Sequence, residues 1–348
     1  MAVRVEKPAF NLRSKLNELD RPVGTFGNQV LATENRYEAN KLIGGGRKNL
    51  LINGDFKISQ RGTYTSATAV ADDTYYLDRW KMRKSGSSIT ITHNKNISIT
   101  EAGGDGIKTN SAKIDITTSN NGYWALRQIV EDYAAVSGQT VTFSCWVRGV
   151  GQKVFFRLWG ISNIGHGHAL TEDWQFYTET FSAPAVTGAI DGNNGFVPTI
   201  GNYAEANVYN HTADWCEVAL FQVEVGRSPT PFEFRTETEE LALCQRYYWQ
   251  VNDNKYRRVN GYKRHDTNVH FELQSPVPMR IAPAPTLSDG GIFTNFQGNF
   301  GSTQSNPTIS EWDIDTGKGL LVIESNYSST HLSIPSWEGY QLQLSAEI

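Results

Sequence analysis

The sequence predicts a mainly β protein: short N-terminal helices, an antiparallel β-sandwich of jelly-roll type, a connecting helix and a smaller C-terminal β-domain. Three observations predict it. Period-2 alternation recurs in several segments at near-regular spacing, as in "SITITHNKNISIT" from Ser88 to Thr100. The 31 glycines and 12 prolines are spread between these segments, where Gly, Asn and Asp supply turns. Two stretches break the pattern with helical spacing, the first 47 residues and a segment near residue 240.

The N-terminal stretch comes first. "FNLRSKLNELDRPVG" sets Leu12, Leu16 and Leu19 on one side of a helix stopped by Pro22 and Gly24. "NQVLATENRYEANKLIGGGRK" carries Val30, Tyr37 and Leu42 and ends at Gly44, Gly45 and Gly46, which cannot hold a helix. Isolated helices this short are marginal in water, so residues 1–47 are expected to dock on another protein or to self-associate.

From Asn49 the sequence becomes β. In "NLLINGDF" an apolar run breaks at Asn53-Gly54. "QTVTFSCWVRG" places Val141, Phe143, Cys145 and Val147 on one face and Thr142, Ser144, Trp146 and Arg148 on the other. "QKVFFRLWG", "DWQFYTETFSA" and "DWCEVALFQVEVG" follow the same rule, giving a jelly-roll sandwich over residues 48–235. "TEELALCQRYY" reads as a connecting helix within 236–250, capped by Thr236 or Thr238, with acidic residues in its first turn. Strand-like segments return in residues 251–348, where Pro276, Pro278, Pro283 and Pro285 mark edges and loops. No fixed-period repeat appears, which counts against a β-helix or propeller.

The bulk numbers narrow the function classes. At 348 residues, 20% charged and net charge −4, the chain has room for two or three cores and no basic block beyond Lys255-Tyr256-Arg257-Arg258. Nucleic acid is therefore not the expected partner. No apolar run approaches 18 residues, and the charged N-terminus lacks a signal-peptide core, so neither membrane insertion nor Sec export is expected. Cys145, Cys216 and Cys244 are too few and too scattered for a disulfide framework or a zinc site, which places synthesis in a cytoplasm.

A set of ordered motifs carries a resemblance. "NLLINGDFKISQRGT", "YYLDRWKM", "ALRQIVEDY", "GQTVTFSCWVRG", "LFQVEVGRSPTPFEFRTETEELALCQRYYWQ", "PVPMRIAPAPTLS" and the ending "LSAEI" run from about Asn49 to Ile348. In this order they resemble bacteriophage tail-fibre and virion-appendage proteins with a carbohydrate-binding-module-like jelly roll. The resemblance implies a homotrimeric virion component, assembled in the host cytoplasm. It implies attachment to other virion proteins through residues 1–47 and an outward face meeting a bacterial surface polysaccharide or protein receptor. A purely architectural decoration or adaptor protein without a ligand is the alternative.

A glycan site needs an aromatic face for the sugar's C–H side and planar polar groups for its hydroxyls. "NNGYWALRQ", read as a loop, offers Trp124 and Arg127, with Asn120, Asn121 and Tyr123 beside them. The Gly/Asn-rich stretch from Asp191 to Trp215 offers Asn194, Tyr203, Asn207 and Tyr209. Gly165-His166-Gly167-His168 reads as a surface turn rather than a metal site, because no third ligand lies at a familiar spacing. Modules of this shape imply a structural calcium, for which Asn53 and Asp55, with Asp214 or Glu217, supply oxygens. The adjacent acids Asp72-Asp73, Glu131-Asp132 and Glu239-Glu240 make no catalytic pair by adjacency alone, since neighbours on a strand point apart, and a non-enzyme is expected. Within the last pair's helix, Cys244 is expected as an apolar filler, making that region a joint between β-domains.

Overall fold

A computed structural model describes residues 48–100, 106–131, 136–151, 153–159, 163–183, 196–202, 214–251, 258–265, 268–287, 294–295, 308–324, 331–335 and 342–347. The chain divides into Met1–Lys48 and Asn49–Ile348. The helices expected in residues 1–47 lie outside the described residues.

The sandwich begins with β1 (Thr68–Ala69), β2 (Thr74–Tyr75) and the long pair β3 (Lys81–Ile99) and β4 (Ile107–Arg127). β5 (Thr140–Val150), β6 (Lys153–Trp159), β7 (Asn163–Ala169), β8 (Gln175–Ser182), β9 (Val197–Gly201) and β10 (Trp215–Val225) complete it. All pairings are antiparallel, and the path runs β7-β6-β9-β4-β10-β5-β8, with β3 along β4. The first half of β4 pairs with β10, through Ser111–Asp115, and its last residues, Ala125–Arg127, pair with β9. The β3/β4 hairpin thus runs from one layer into the other. β8-β5-β10-β4 forms one layer and β9-β6-β7 the other. Gly86, at φ +63°, sits where the β3/β4 register shifts between Ser85 and Ser87.

Aromatic side chains fill the space between the layers. Phe143 of β5 lies 6.2 Å from Phe156 of β6 and 6.2 Å from Phe221 of β10, and Phe156 lies 5.8 Å from Phe221. Val141, Phe143, Cys145 and Val147 all face this core, as the alternation predicts. Burial pushes the Cys145 and Cys216 thiols up, so both stay protonated fillers.

Two bulges redirect the apolar residues. Along β3, Ile89 and Ile91 join the central core, whereas Ile97 and Ile99 pack on the opposite face with Ala219 and Leu220. The register shift between Asn94 and Ile97 flips the face although the alternation in sequence is unbroken. β10 does the same between Ala219 and Gln222, around Leu220 at φ +52°.

The helix α1 (Glu237–Gln245) follows, and Thr236 is its cap. Thr236 accepts from the Glu239 amide, while the Glu239 carboxylate accepts from the Thr236 amide at 2.9 Å, a reciprocal capping box. Residues beyond it form two sheets. β11 (Tyr248–Val251), β14 (Ala284–Leu287) and β19 (Leu342–Ser345) make a three-stranded sheet with β19 in the middle. β12 (Arg258–His265), β13 (Asn268–Gln274), β15 (Thr294–Asn295), β16 (Thr308–Asp313), β17 (Lys318–Glu324) and β18 (His331–Pro335) make a six-stranded one. β11 starts before residue 251, where the sequence placed the start of the C-terminal domain, because Tyr248 already pairs with Ser345 of β19.

Candidate functional site

The segment around α1 is tied to the start of the sandwich. Asn49 donates its amide to Glu233 at 2.6 Å, and Arg235 donates to the Asn49 carbonyl at 2.6 Å and the Leu51 carbonyl at 3.1 Å. Arg235 also pairs with Glu240 at 3.3 Å, and the Glu240 carboxylate accepts the Asn53 amide. Burial raises the Glu240 carboxyl, whereas the hydrogen bonds from Thr236 lower that of exposed Glu239. Cys244 is fully buried and its thiol is raised by that burial. Two adjacent glutamates thus take unrelated structural roles, with no free pair left for chemistry.

The proposed calcium donors have other partners. The Asn53 side chain accepts from the Ile58 amide at 2.9 Å and donates to the carbonyls of Ile58 and Asp78 at 2.8 and 3.0 Å. Asp55 pairs with Lys57 at 2.7 Å. Glu217 is held by Arg148, Asn94 and Ser111. Among the described residues, no group of three or more His, Cys, Asp or Glu side chains converges to hold a metal ion.

The first loop candidates are corrected by the fold. "NNGYWALR" forms the end of β4 rather than a loop. Trp124 is 2% exposed and packs in the core, and Arg127 is 1% exposed and pairs with Asp73 at 2.6 Å. Neither presents a face to a polymer. Trp124 only borders a shallow pocket with Lys153, Asn202, Asp214 and Trp215. Asn194, Tyr203, Asn207 and Tyr209 lie outside the described residues. Gly165–His168 is part of β7, not a turn, and His166 and His168 both approach Glu179 of β8, at 3.1 and 3.6 Å.

The richest surface constellation is on the outer face of the β8-β5-β10-β4 layer. Register fixes its rows. Phe176, Trp146, Ala219, Ser111 and Asn94 lie side by side across five strands, and next to them run Arg148, Glu217, Lys113 and Thr92. Trp215, between Val150 and Asp115, begins a third row, and Trp174 stands just before β8. The other half of this face is covered. Gln222 donates to the Thr230 carbonyl at 3.2 Å and accepts from the Glu233 amide, and Phe232 packs against the Ile99–Leu220 cluster. The chain from Thr230 to Arg235 therefore lies over the end marked by Gln222 and Glu224.

Glu217 organises the open half. Its carboxylate is buried, accepts from Arg148 Nε and Nη2 at 2.7 Å each, and accepts from Asn94 Nδ2 at 2.7 Å and from the Ser111 hydroxyl. Four donors on one carboxylate fix its position and, through it, that of Arg148. The Arg148 guanidinium lies 4.8 Å from the Trp174 ring and 5.8 Å from that of Trp215, which also has the Lys113 ammonium at 5.0 Å. Trp146 and Phe176 form a tilted pair 5.4 Å apart, and Phe176 is 44% exposed. Chemically this is a rigid amphipathic surface: aromatic area beside donors held in place before any ligand arrives.

The alternation along β5 puts Trp146 and Arg148 on the face away from the core, but by itself it does not mark them as a site. The available signal was their bulk and charge on the side of the strand away from the core. What joined them to Phe176, Glu217 and Asn94 was strand order, which no single segment encodes.

No protein-family model and no curated protein matches the sequence. Among solved structures, the chain is similar over 51% of its length to the enzymatically active domain of tailspike protein 4 of bacteriophage CBA120, at 11% identity and a TM-score of 0.31. That match covers 21% of the tailspike chain. A family 11 carbohydrate-binding module from a cellulosomal cellulase of Clostridium thermocellum is covered over 99% of its length by 48% of this chain, at 13% identity and a TM-score of 0.27. An exo-β-agarase is matched over 25% of its length by 47% of this chain, at 8% identity and a TM-score of 0.29.

Proposed function

We propose that the chain is a non-enzymatic bacteriophage virion protein, a tail fibre or head or neck appendage. It attaches by its N-terminal segment and touches host-surface glycan through the open outer face of the sandwich. The observation that carries the glycan contact is the Trp146–Phe176 pair beside Arg148 and Asn94, both anchored by Glu217. Aromatic faces pack on the C–H side of pyranose rings, and the remaining guanidinium donors match vicinal hydroxyls. The virion role is supported by the ordered motifs between Asn49 and Ile348. In a homotrimer, three copies of a shallow site would raise avidity by effective concentration without any new contact.

The test is retention of labelled full-length protein on susceptible and resistant bacteria. The parent is retained on susceptible cells, and Phe176→Ala reduces retention about tenfold with little change in melting temperature, because that residue is 44% exposed and lies outside the central core. Ile314→Ala, an exposed apolar residue elsewhere, leaves retention unchanged. Equal retention of the parent on resistant cells, or none on susceptible ones, supports a purely architectural protein instead. In the phage, deletion of residues 1–47 removes the protein from purified particles.

A further inference from the structure

We infer that the outer-face site selects an uncharged polysaccharide and excludes acidic ones. This rests on the reading of that face as a glycan-contact surface and adds the class of glycan. The open area carries two cations on its strands, and each already has its anion. Arg148 directs Nε and Nη2 to Glu217, and Lys113 holds Asp115 at 2.6 Å. Glu217 is buried and cannot swing away to release Arg148 to a ligand. Around the open area, exposed Lys95 follows Asn94, exposed Lys153 borders a pocket with Trp215, and exposed Glu172 and Asp173 precede Trp174, so the two signs are equal in number.

An arriving uronate or phosphate would find Arg148 and Lys113, the two cations on the strands of the open area, each already beside a carboxylate, so it would lose its hydration there without gaining a free counter-charge. A neutral sugar faces no such cost. The guanidinium has five N–H donors and spends only two on Glu217, so donors remain at a side chain that is 35% exposed. The Asn94 side chain gives its amide to Glu217, which leaves its carbonyl oxygen as an acceptor at the end of the Trp146 row. The site is thus polar in hydrogen bonding and balanced in charge, the combination that suits hydroxyl-rich chains without ionised groups.

The experiment is affinity electrophoresis of the full-length protein through gels holding neutral polymers (dextran, galactomannan, mixed-linkage β-glucan) or acidic ones (alginate, polygalacturonate), beside the cell-retention assay. Retardation by a neutral polymer is expected, changing less than about twofold between about 50 and about 500 mM salt, and falling about tenfold in Phe176→Ala. Glu217→Gln removes the counter-charge while keeping the shape, and is expected to add salt-sensitive retardation by alginate. Parental binding to acidic polymers that collapses with salt would overturn the charge-matching inference and leave the glycan reading standing. The charge-matching inference falls in the same way if Glu217→Gln binds alginate no better than the parent, or if cell retention is competed by acidic polymers only. Failure to bind any polymer together with failure to be retained on cells would overturn the glycan reading itself.

Discussion

At the residue scale, close contacts decide what is tolerated. A Cβ on Gly54 would stand 2.3 Å from the Phe221 carbonyl oxygen, a backbone atom that cannot rotate away. The Gly54 carbonyl also accepts the Phe221 amide at 2.8 Å, tying the first segment of the sandwich to the β10 bulge. Gly54→Ala is therefore expected to cost about 1–3 kcal/mol of stability, measurable by urea unfolding. Asp78 tests burial. Desolvation pushes its carboxyl up to about 6, although the Gln60 amide donates to it at 2.5 Å. Its folded value exceeds its unfolded one, so its favourable contribution is present below about pH 4 and is lost as pH rises through about 6. Relative to Asp78→Ala, the parent should gain on the order of 2–3 kcal/mol between pH 7 and pH 4. A flat difference across that window would contradict a buried, raised carboxyl.

At the element scale, caps and bulges set boundaries and faces. α1 is only 9 residues long, too short to persist alone, and depends on its cap and on the Arg235–Glu240 anchor. Thr236→Ala removes one side of the capping box and is expected to lower stability by about 1 kcal/mol, with Thr236→Ser close to the parent in thermal unfolding. The bulges in β3 and β10 have the larger structural effect. They turn Ile97, Ile99 and Leu220 outward, and the segment through Phe232 then covers them. Trp146 and Trp174 also pack against this cluster and are half-buried, while Phe176, paired with Trp146, stays exposed on the same sheet face.

At the scale of the whole Asn49–Ile348 unit, the chain end is part of the sandwich's support. β19 is the central strand of its sheet, and Ala346 donates to the Tyr247 carbonyl at 2.7 Å. The penultimate residue, Glu347, pairs with Arg61 at 3.1 Å and with Arg79, which is buried and stacks at 3.4 Å on the Tyr247 ring. Glu347→Gln leaves Arg79 without its counter-charge and is expected to cost about 3 kcal/mol in chemical denaturation, far more than a surface pair. Assembly belongs to this scale as well. The proposed homotrimer predicts a solution mass of three times 38.8 kDa by light scattering, and a monomer would remove the avidity on which a shallow site depends.

The sequence by itself determined the β class, the core face of β5 with Cys145 on it, the helix near residue 240 with its cap narrowed to Thr236 or Thr238, and the role of Cys244 as a buried filler. These follow from period, propensity and residue size within a few neighbouring positions, which is the range over which a sequence is legible. It misread "NNGYWALRQ" as a loop because Asn and Gly are turn formers in isolation, and a long hairpin partner overrode them. Only the tertiary structure decided where Trp124 and Arg127 point. It likewise determined that Glu217 holds Arg148, and that Phe176, from a strand 30 residues along the chain, lies opposite Trp146. Sheet order and bulges made those contacts, and both arise from long-range pairing, in which distant segments meet and a single extra residue exchanges one face for the other.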